Sequence, residues 1–282
     1  MYRGTILSLA AAGIALSAQA ASAADIARPV YKAAPAQAAV FNWTGFYIGG
    51  NGGYGWHDRT ANLSGNDPSA AIILGFPGSV TPLANPNFDV DGGFGGFQVG
   101  YNWQFHPRWL AGLEADFDFA DLKGRGTSSN ISLAVVTGTA TVSEQIKWFG
   151  TVRARLGYLV TNELLLYGTG GFAYGRVERQ ADYTTVGVGL LVSVAPNPFI
   201  CTPGIACFAG SSSSVETGWT IGGGAEWALW NNLTFKAEYF YVNLGENSFA
   251  IRATAPLGGV ASIQNRNDIE FHAVRVGLNY KF

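Results

Sequence analysis

The sequence predicts an all-β fold: an eight-stranded antiparallel up-and-down transmembrane β-barrel with short periplasmic turns and four long extracellular loops. Three observations point there. Extended segments alternate apolar and polar residues with a period of two, as a strand with two unlike faces requires. The connections between those segments are alternately short and long, the asymmetry of membrane barrels that keep tight turns in the periplasm and long loops outside. The chain carries 38 Gly, 8 Trp, 12 Tyr and 18 Phe but only 13% charged residues, against about 25% in a typical soluble domain, so part of its surface faces something other than water.

Residues 1–23 read as a secretory signal peptide. A basic start, Met1-Tyr2-Arg3, precedes an apolar stretch from Ile6 to Leu16, and small residues ending in Ala21-Ser22-Ala23 place cleavage between Ala23 and Ala24. A membrane-spanning helix needs about 20 continuous apolar residues; neither this stretch nor the later run from Val186 to Ala195 provides them. Residues 24–42, rich in Ala and Pro, read as a flexible periplasmic leader. The barrel then occupies 43–282.

Its strands follow in order. The first spans Thr44 to Trp56, the second Gly93 to Phe105, the third Arg108 to Asp121 and the fourth Val142 to Val160. The fifth spans Leu164 to Glu178, the sixth Thr217 to Trp230, the seventh Leu233 to Leu244 and the eighth Ile269 to Phe282. The short connections are His106-Pro107, Thr161-Asn162-Glu163 and Asn231-Asn232, whereas Asp58–Gly92, Leu122–Thr141, Arg179–Glu216 and Gly245–Asp268 are long. Two loop segments, Ile131–Val136 and Val186–Val194, are apolar enough to be strands, either prolonging the barrel above the membrane or adding a hairpin to make ten.

Alternation assigns faces. In the third strand Trp109, Ala111, Leu113, Ala115, Phe117 and Phe119 oppose Glu114, Asp116 and Asp118; in the fourth, Trp148, Val152, Ala154, Leu156 and Tyr158 oppose Lys147, Arg153 and Arg155. The seventh sets Phe235, Ala237, Tyr239 and Tyr241 against Lys236 and Glu238, and the eighth sets Val274, Val276, Leu278, Tyr280 and Phe282 against Arg275. With Glu226 from the sixth, the lumen is expected to hold Glu114, Asp116, Asp118, Glu226 and Glu238 with Lys147, Arg153, Arg155, Lys236 and Arg275. Side chains largely fill a barrel of about eight strands, so these charges must be paired and hydrogen-bonded. Trp103, Phe105, Trp109, Tyr158, Tyr280 and Phe282 recur near strand ends and suit an aromatic girdle at the periplasmic interface.

The net charge of −2 argues against a nucleic-acid partner, which calls for clustered Lys and Arg. Outer-membrane lipid is the expected surrounding. No metalloprotease, paired-cysteine or nucleophile-elbow motif occurs, and the glycine runs lack the following helix that a nucleotide site needs; neither an enzyme nor a cofactor is indicated. His57 and His272 fall near the extracellular rim on strands that become neighbours, with Asp58 and Glu270 nearby, and are candidate ligands for a metal or haem against the plainer reading of water-facing rim residues. Cys201 and Cys207 suit a small loop disulfide in an oxidising compartment.

The opening Phe41-Asn42-Trp43-Thr44-Gly45-Phe46-Tyr47-Ile48-Gly49-Gly50-Asn51-Gly52-Gly53-Tyr54-Gly55-Trp56, the segment Tyr167-Gly168-Thr169-Gly170-Gly171 and the ending Val274 to Phe282 resemble an alphaproteobacterial family of porin-like outer-membrane proteins. Its brucella and rhizobial members include surface antigens and so-called haemin-binding proteins. The resemblance implies an eight-stranded, OmpA-like membrane barrel in the cell outer membrane with a structural, surface-exposed role. The terminal Phe282, with apolar residues at alternate positions before it, also resembles the C-terminal signal by which the outer-membrane assembly machinery recognises its clients. A small-solute porin and a surface haemin-binding protein are the alternatives.

Overall fold

A computed structural model describes residues 41–282 apart from 66, 69, 71–84, 133–135, 188–189, 193–196 and 258–260. The expected signal peptide, and the leader up to residue 40, lie outside the described residues. The described chain is made of strands: β1 (Gly45–Thr60), β2 (Asn62–Gly65), β3 (Asn87–His106), β4 (Trp109–Ser132), β5 (Val136–Leu159), β6 (Leu164–Gly187), β7 (Leu190–Val192), β8 (Phe199–Cys201), β9 (Ala206–Trp230), β10 (Leu233–Ala253) and β11 (Ser262–Lys281).

Eight of them form a closed antiparallel ring in the order β1-β3-β4-β5-β6-β9-β10-β11, which β11 completes by pairing back onto β1 from Tyr47↔Lys281 to Trp56↔His272. Closure leaves no unpaired edge inside the bilayer, the condition for a sheet to cross lipid. β2 continues the line of β1 along β11, and β7 and β8 form a separate small hairpin. Ile131–Ser132 and Val136 therefore prolong β4 and β5, Val186 prolongs β6, and Leu190–Val192 stays outside the ring.

The strands are much longer than expected. Several run to 24 residues, where about 9–11 suffice to cross a bilayer. The extra length rises above the membrane, so much of what the sequence suggested as loop at Leu122–Thr141 and Arg179–Glu216 is strand. Outward residues of β4 mark the boundary: Leu113 and Phe119 are exposed apolar side chains, whereas Asp121, Lys123 and Arg125 continue the same face as exposed charge. The inward face does the reverse, changing from buried Glu114, Asp116 and Asp118 to buried Leu122. In lipid the outside is apolar and the inside polar; in water the same strand needs the opposite arrangement.

Bulges sit at this boundary. Register shifts between Phe119 and Leu122, between Ile146 and Trp148, and between Asn243 and Glu246 fall just above the lipid-facing rings. A bulge adds a residue to one strand and re-aims its side chains, which lets the pattern of burial be reset where the solvent changes.

At the short-turn end, Trp43, Leu110, Leu159, Leu165 and Ala228 close the barrel beneath, and Trp43 Nε1 donates to Asn162 O at 3.1 Å. The expected girdle residues lie on the outer wall at this end, with ring pairs Trp103–Phe105 at 5.6 Å, Trp109–Tyr158 at 5.3 Å and Tyr280–Phe282 at 5.3 Å.

Candidate functional site

Inside the lipid-facing part of the ring, β4, β5, β9, β10 and β11 each direct ionisable side chains at the barrel axis. Nine of the ten charges assigned to the lumen converge: Glu114, Asp116, Asp118, Glu226 and Glu238 with Arg153, Arg155, Lys236 and Arg275, no side chain more than 2% exposed. Glu114 is the hub. Its oxygens accept from Arg153 Nη2 at 2.7 Å, Lys236 Nζ at 2.8 Å, Arg275 Nη2 at 3.1 Å and the Tyr47 hydroxyl at 2.6 Å. Asp116 takes the Thr151 amide at 3.0 Å and hydroxyl at 2.7 Å and also meets Arg153 and Arg275. Glu238 bridges Arg153 at 2.5 Å and Arg275 at 2.8 Å. Glu226 holds Arg155 at 2.6 Å and accepts from Thr234 and Asn279. Asp118 is held more loosely, 3.6 Å from Arg275 Nη1.

Lys147 corrects the expected set. The bulge at Ile146–Trp148 shifts the inside-outside parity of β5, so Lys147 points outward, 40% exposed, 3.6 Å from Glu178. The expected balance of acids and bases becomes five carboxylates to four cations, and Asp118 is the least well compensated.

Some members were missed because the sequence gives their neighbours glycine. A Cβ at Gly100 would collide with the Tyr47 ring; without one, Tyr47 lies across β3 and reaches Glu114. Above this layer four phenylalanines cross the lumen: Phe149 lies 5.1 Å from Phe94 and 5.2 Å from Phe271, and Phe240 completes the set. The Arg275 and Arg153 guanidinium groups sit 4.9 Å and 5.5 Å from the Phe240 ring centre, a cation–π arrangement strengthened by desolvation.

A second buried ion layer, absent from the sequence reading, lies in the extension above the membrane. Arg59 meets Glu144 at 3.1 Å and Arg179 meets Glu216 at 3.9 Å, with Asn247 donating to Glu216. Burial pushes the Glu144 carboxyl upward against the pull of Arg59 and Arg179, and burial lowers Arg179. Higher still, burial pushes Tyr183 up to about 12 while its hydroxyl bonds Asn130 at 3.1 Å.

His57 and His272 do not reach the extracellular rim expected of them: because the strands continue well above, both lie at the level of the lipid boundary, His272 beside Tyr241 just below the bulge in β10. His272, paired with Trp56 across the β1–β11 seam, accepts or donates at Nδ1 with the Tyr239 hydroxyl 2.7 Å away, and His57 Nε2 lies 3.7 Å from Glu270. No group of three or more His, Cys, Asp or Glu with metal-binding geometry occurs among the described residues. Cys201 and Cys207 are joined as a disulfide, Cα atoms 4.9 Å apart.

The family model described as an outer membrane protein β-barrel domain matches residues 6–282. The chain belongs to this family. The outer-membrane barrel is 36% identical over 281 residues to a 31 kDa outer-membrane immunogenic protein of Brucella melitensis biotype 1, covering 99% of this chain and 100% of the relative. It is 28% identical to a 22 kDa outer membrane protein of Rhizobium leguminosarum bv. viciae, covering 86% and 79%. Among solved structures, the outer membrane protein OprG of Pseudomonas aeruginosa aligns over 86% of this chain and 98% of its own, with 14% identity and a TM-score of 0.43. The family match and the Brucella relative make this barrel an integral protein of the cell outer membrane, its wall in contact with lipid.

Proposed function

We propose that this outer-membrane barrel is a closed, non-conducting anchor that stiffens the envelope and presents its extracellular extension at the cell surface, without catalytic activity. The single observation that carries the reading is the ion layer around Glu114, whose side chains are at most 2% exposed and bridge β4, β5, β10 and β11 across the lumen. A water path needs a hydrated opening; paired ions bonded to opposite walls fill that space and tie the walls together. Planar-bilayer recording of the purified, refolded protein tests it: a baseline without unitary steps is expected, and reproducible single-channel steps would favour the small-solute porin instead.

The haemin reading draws less support, because His272 is engaged by Tyr239 and His57 lies beside Glu270; absorbance titration with haemin should show no difference between wild type and a His57→Ala, His272→Ala double variant. Export by a cleaved signal peptide at residues 1–23 and delivery through the assembly machinery, with Phe282 at the end of the recognised strand, belong to the same proposal. What supports the latter is the alternation of exposed Val274, Val276, Leu278, Tyr280 and Phe282 along the seam strand.

A further inference from the structure

The collar of outward residues just above the lipid band is not uniform around the ring. On β1 and β3 it is acidic: Asp58, Asp89 and Asp91 are exposed, and Asp58 faces Asp89 across the strands. On β4, β5 and β6 it is basic. Lys123 and Arg125 on β4 pair in register with Gln145 and Ser143 on β5, which pair with Glu178 and Gln180 on β6. Lys147 and Arg176 complete the group below, 40% and 48% exposed. Lys123 and Arg125 border a hollow of about 380 Å³ that Gly124, Ser143, Glu144, Gln145, Glu178 and Gln180 complete, and Lys147 and Arg176 lie below it. Three nearby acids offset part of the charge: Asp121 bonds Lys123 at 2.9 Å, Asp91 on β3 is the register partner of Lys123, and Glu178 lies 3.6 Å from both Lys147 and Arg176. Arg125 has no ion-pair partner among the described residues.

Directly beneath is a shelf of rings on the lipid-facing wall. Phe117 lies 5.2 Å from Phe119 and 5.4 Å from Trp148, and Trp148 lies 6.1 Å from Tyr174. Tyr174 lies flat across β5 because residue 150 is glycine; a Cβ there would meet its ring. Phe117 and Tyr174 also form the upper wall of an apolar groove of about 730 Å³ that descends along β1, β3 and β4 past Phe97, Val99, Ala115 and Gly50. Head and tail features are therefore stacked in the order an amphiphile presents them: cations and hydrogen-bond donors at the headgroup level, aromatic rings at the interface, and an apolar channel in the acyl region.

We propose that this sector of the outer wall binds a phosphorylated glycolipid of the outer leaflet, with Arg125, Lys123, Lys147 and Arg176 taking the headgroup phosphates and the groove under Phe117 and Tyr174 taking an acyl chain. Phosphate on paired guanidinium and ammonium donors is a charge-assisted contact, and Gln145, Ser143 and Gln180 face the sugar hydroxyls. The acidic pair Asp58 and Asp89, one step further from the basic group, repels the same headgroup, so the barrel carries bound lipid on one side.

The test uses the full-length mature protein in detergent, titrated with bisphosphorylated lipid A and read by native mass spectrometry. Wild type retains lipid A, and lipid A stripped of its phosphates binds at least roughly tenfold more weakly. The Arg125→Gln, Arg176→Gln variant loses roughly tenfold or more, whereas Asp58→Asn, Asp89→Asn does not weaken binding. Both variants keep the heat-dependent gel migration of a folded barrel. Should the arginine variant not fold, Tyr174→Ala serves in its place and loses affinity through the shelf. Equal retention by the arginine variant and wild type, equal binding of the phosphate-free lipid, or displacement of lipid A by equimolar inorganic phosphate would each overturn the assignment.

Discussion

At the scale of single residues, the decisive feature is that buried charges are tolerable only as a set. Glu114 compensates Arg153, Lys236 and Arg275 together, so Glu114→Gln leaves three buried cations short of a partner. Breaking a buried pair from one side costs about 3–5 kcal/mol, and that is the loss expected in urea unfolding of the barrel reconstituted in phospholipid vesicles. Asp118 is the contrasting case. It is fully buried, 3.6 Å from Arg275, in a layer with five carboxylates and four cations, so Asp118→Asn removes surplus negative charge at nearly constant shape. That change should cost under about 1 kcal/mol or stabilise the fold. An Asp118→Asn variant as damaged as Glu114→Gln would show that the charge excess is compensated in some other way. Lys147→Ala, on the outer surface beside Glu178, should change stability by less than about 1 kcal/mol.

At the scale of elements, each long strand serves two solvents in succession, and the layers of the lumen follow from that. Phe94, Phe149, Phe240 and Phe271 separate the membrane-level ions from the upper pair Arg59–Glu144 and Arg179–Glu216. Phe149 is fully buried among them, so Phe149→Ala should destabilise by about 3–5 kcal/mol through the cavity it leaves, measured by the same urea titration. An effect below about 1 kcal/mol would mean that the layer collapses to refill the space. The disulfide ties β8 to the upper end of the ring strand β9, closing a loop between residues six apart. Reducing it should leave the heat-modifiable migration of the barrel unchanged, since a short loop restricts the unfolded chain little. Within the lipid band the sequence was legible because parity holds: every second residue of β4 from Trp109 to Phe119 faces lipid, and its partners face the ions. Beyond Phe119 the apolar residues move to the inner face, and a period-two reading tuned to an apolar exterior ends the strand at Asp121 and takes Lys123 and Arg125 for loop. Arg59 and Arg179 were lost for that reason, and Lys147 was misplaced because one inserted residue at a bulge reverses a face without any local mark in composition. The ring count survived because the turns at Pro107-Arg108 and Asn231-Asn232 fix the strand order whatever happens above.

At the scale of the whole molecule, the barrel is a stack of seals: the Trp43 cap, the Glu114 ion layer, the phenylalanine layer and the upper ion layer, with the lipid boundary crossing the outside near Phe119, Trp148 and Trp219. That boundary makes a prediction independent of conductance. Outward positions along β4 sample the full height of one strand, and the native cysteines are joined to each other, so single introduced cysteines report alone. In intact cells, a charged, membrane-impermeant maleimide should label Thr127→Cys and Ser129→Cys, which are exposed above the boundary, and leave Leu113→Cys and Phe117→Cys unlabelled in lipid. After detergent extraction, Leu113→Cys, exposed on the folded wall, should become more reactive as mobile detergent replaces the bilayer. All four sites share one face of β4 and differ only in height. Labelling of Leu113→Cys in cells at the rate of Ser129→Cys would place the bilayer elsewhere on the wall and remove the physical reason for the inverted faces, since it is the change from acyl chains to water at this height that requires buried ions below and buried rings above.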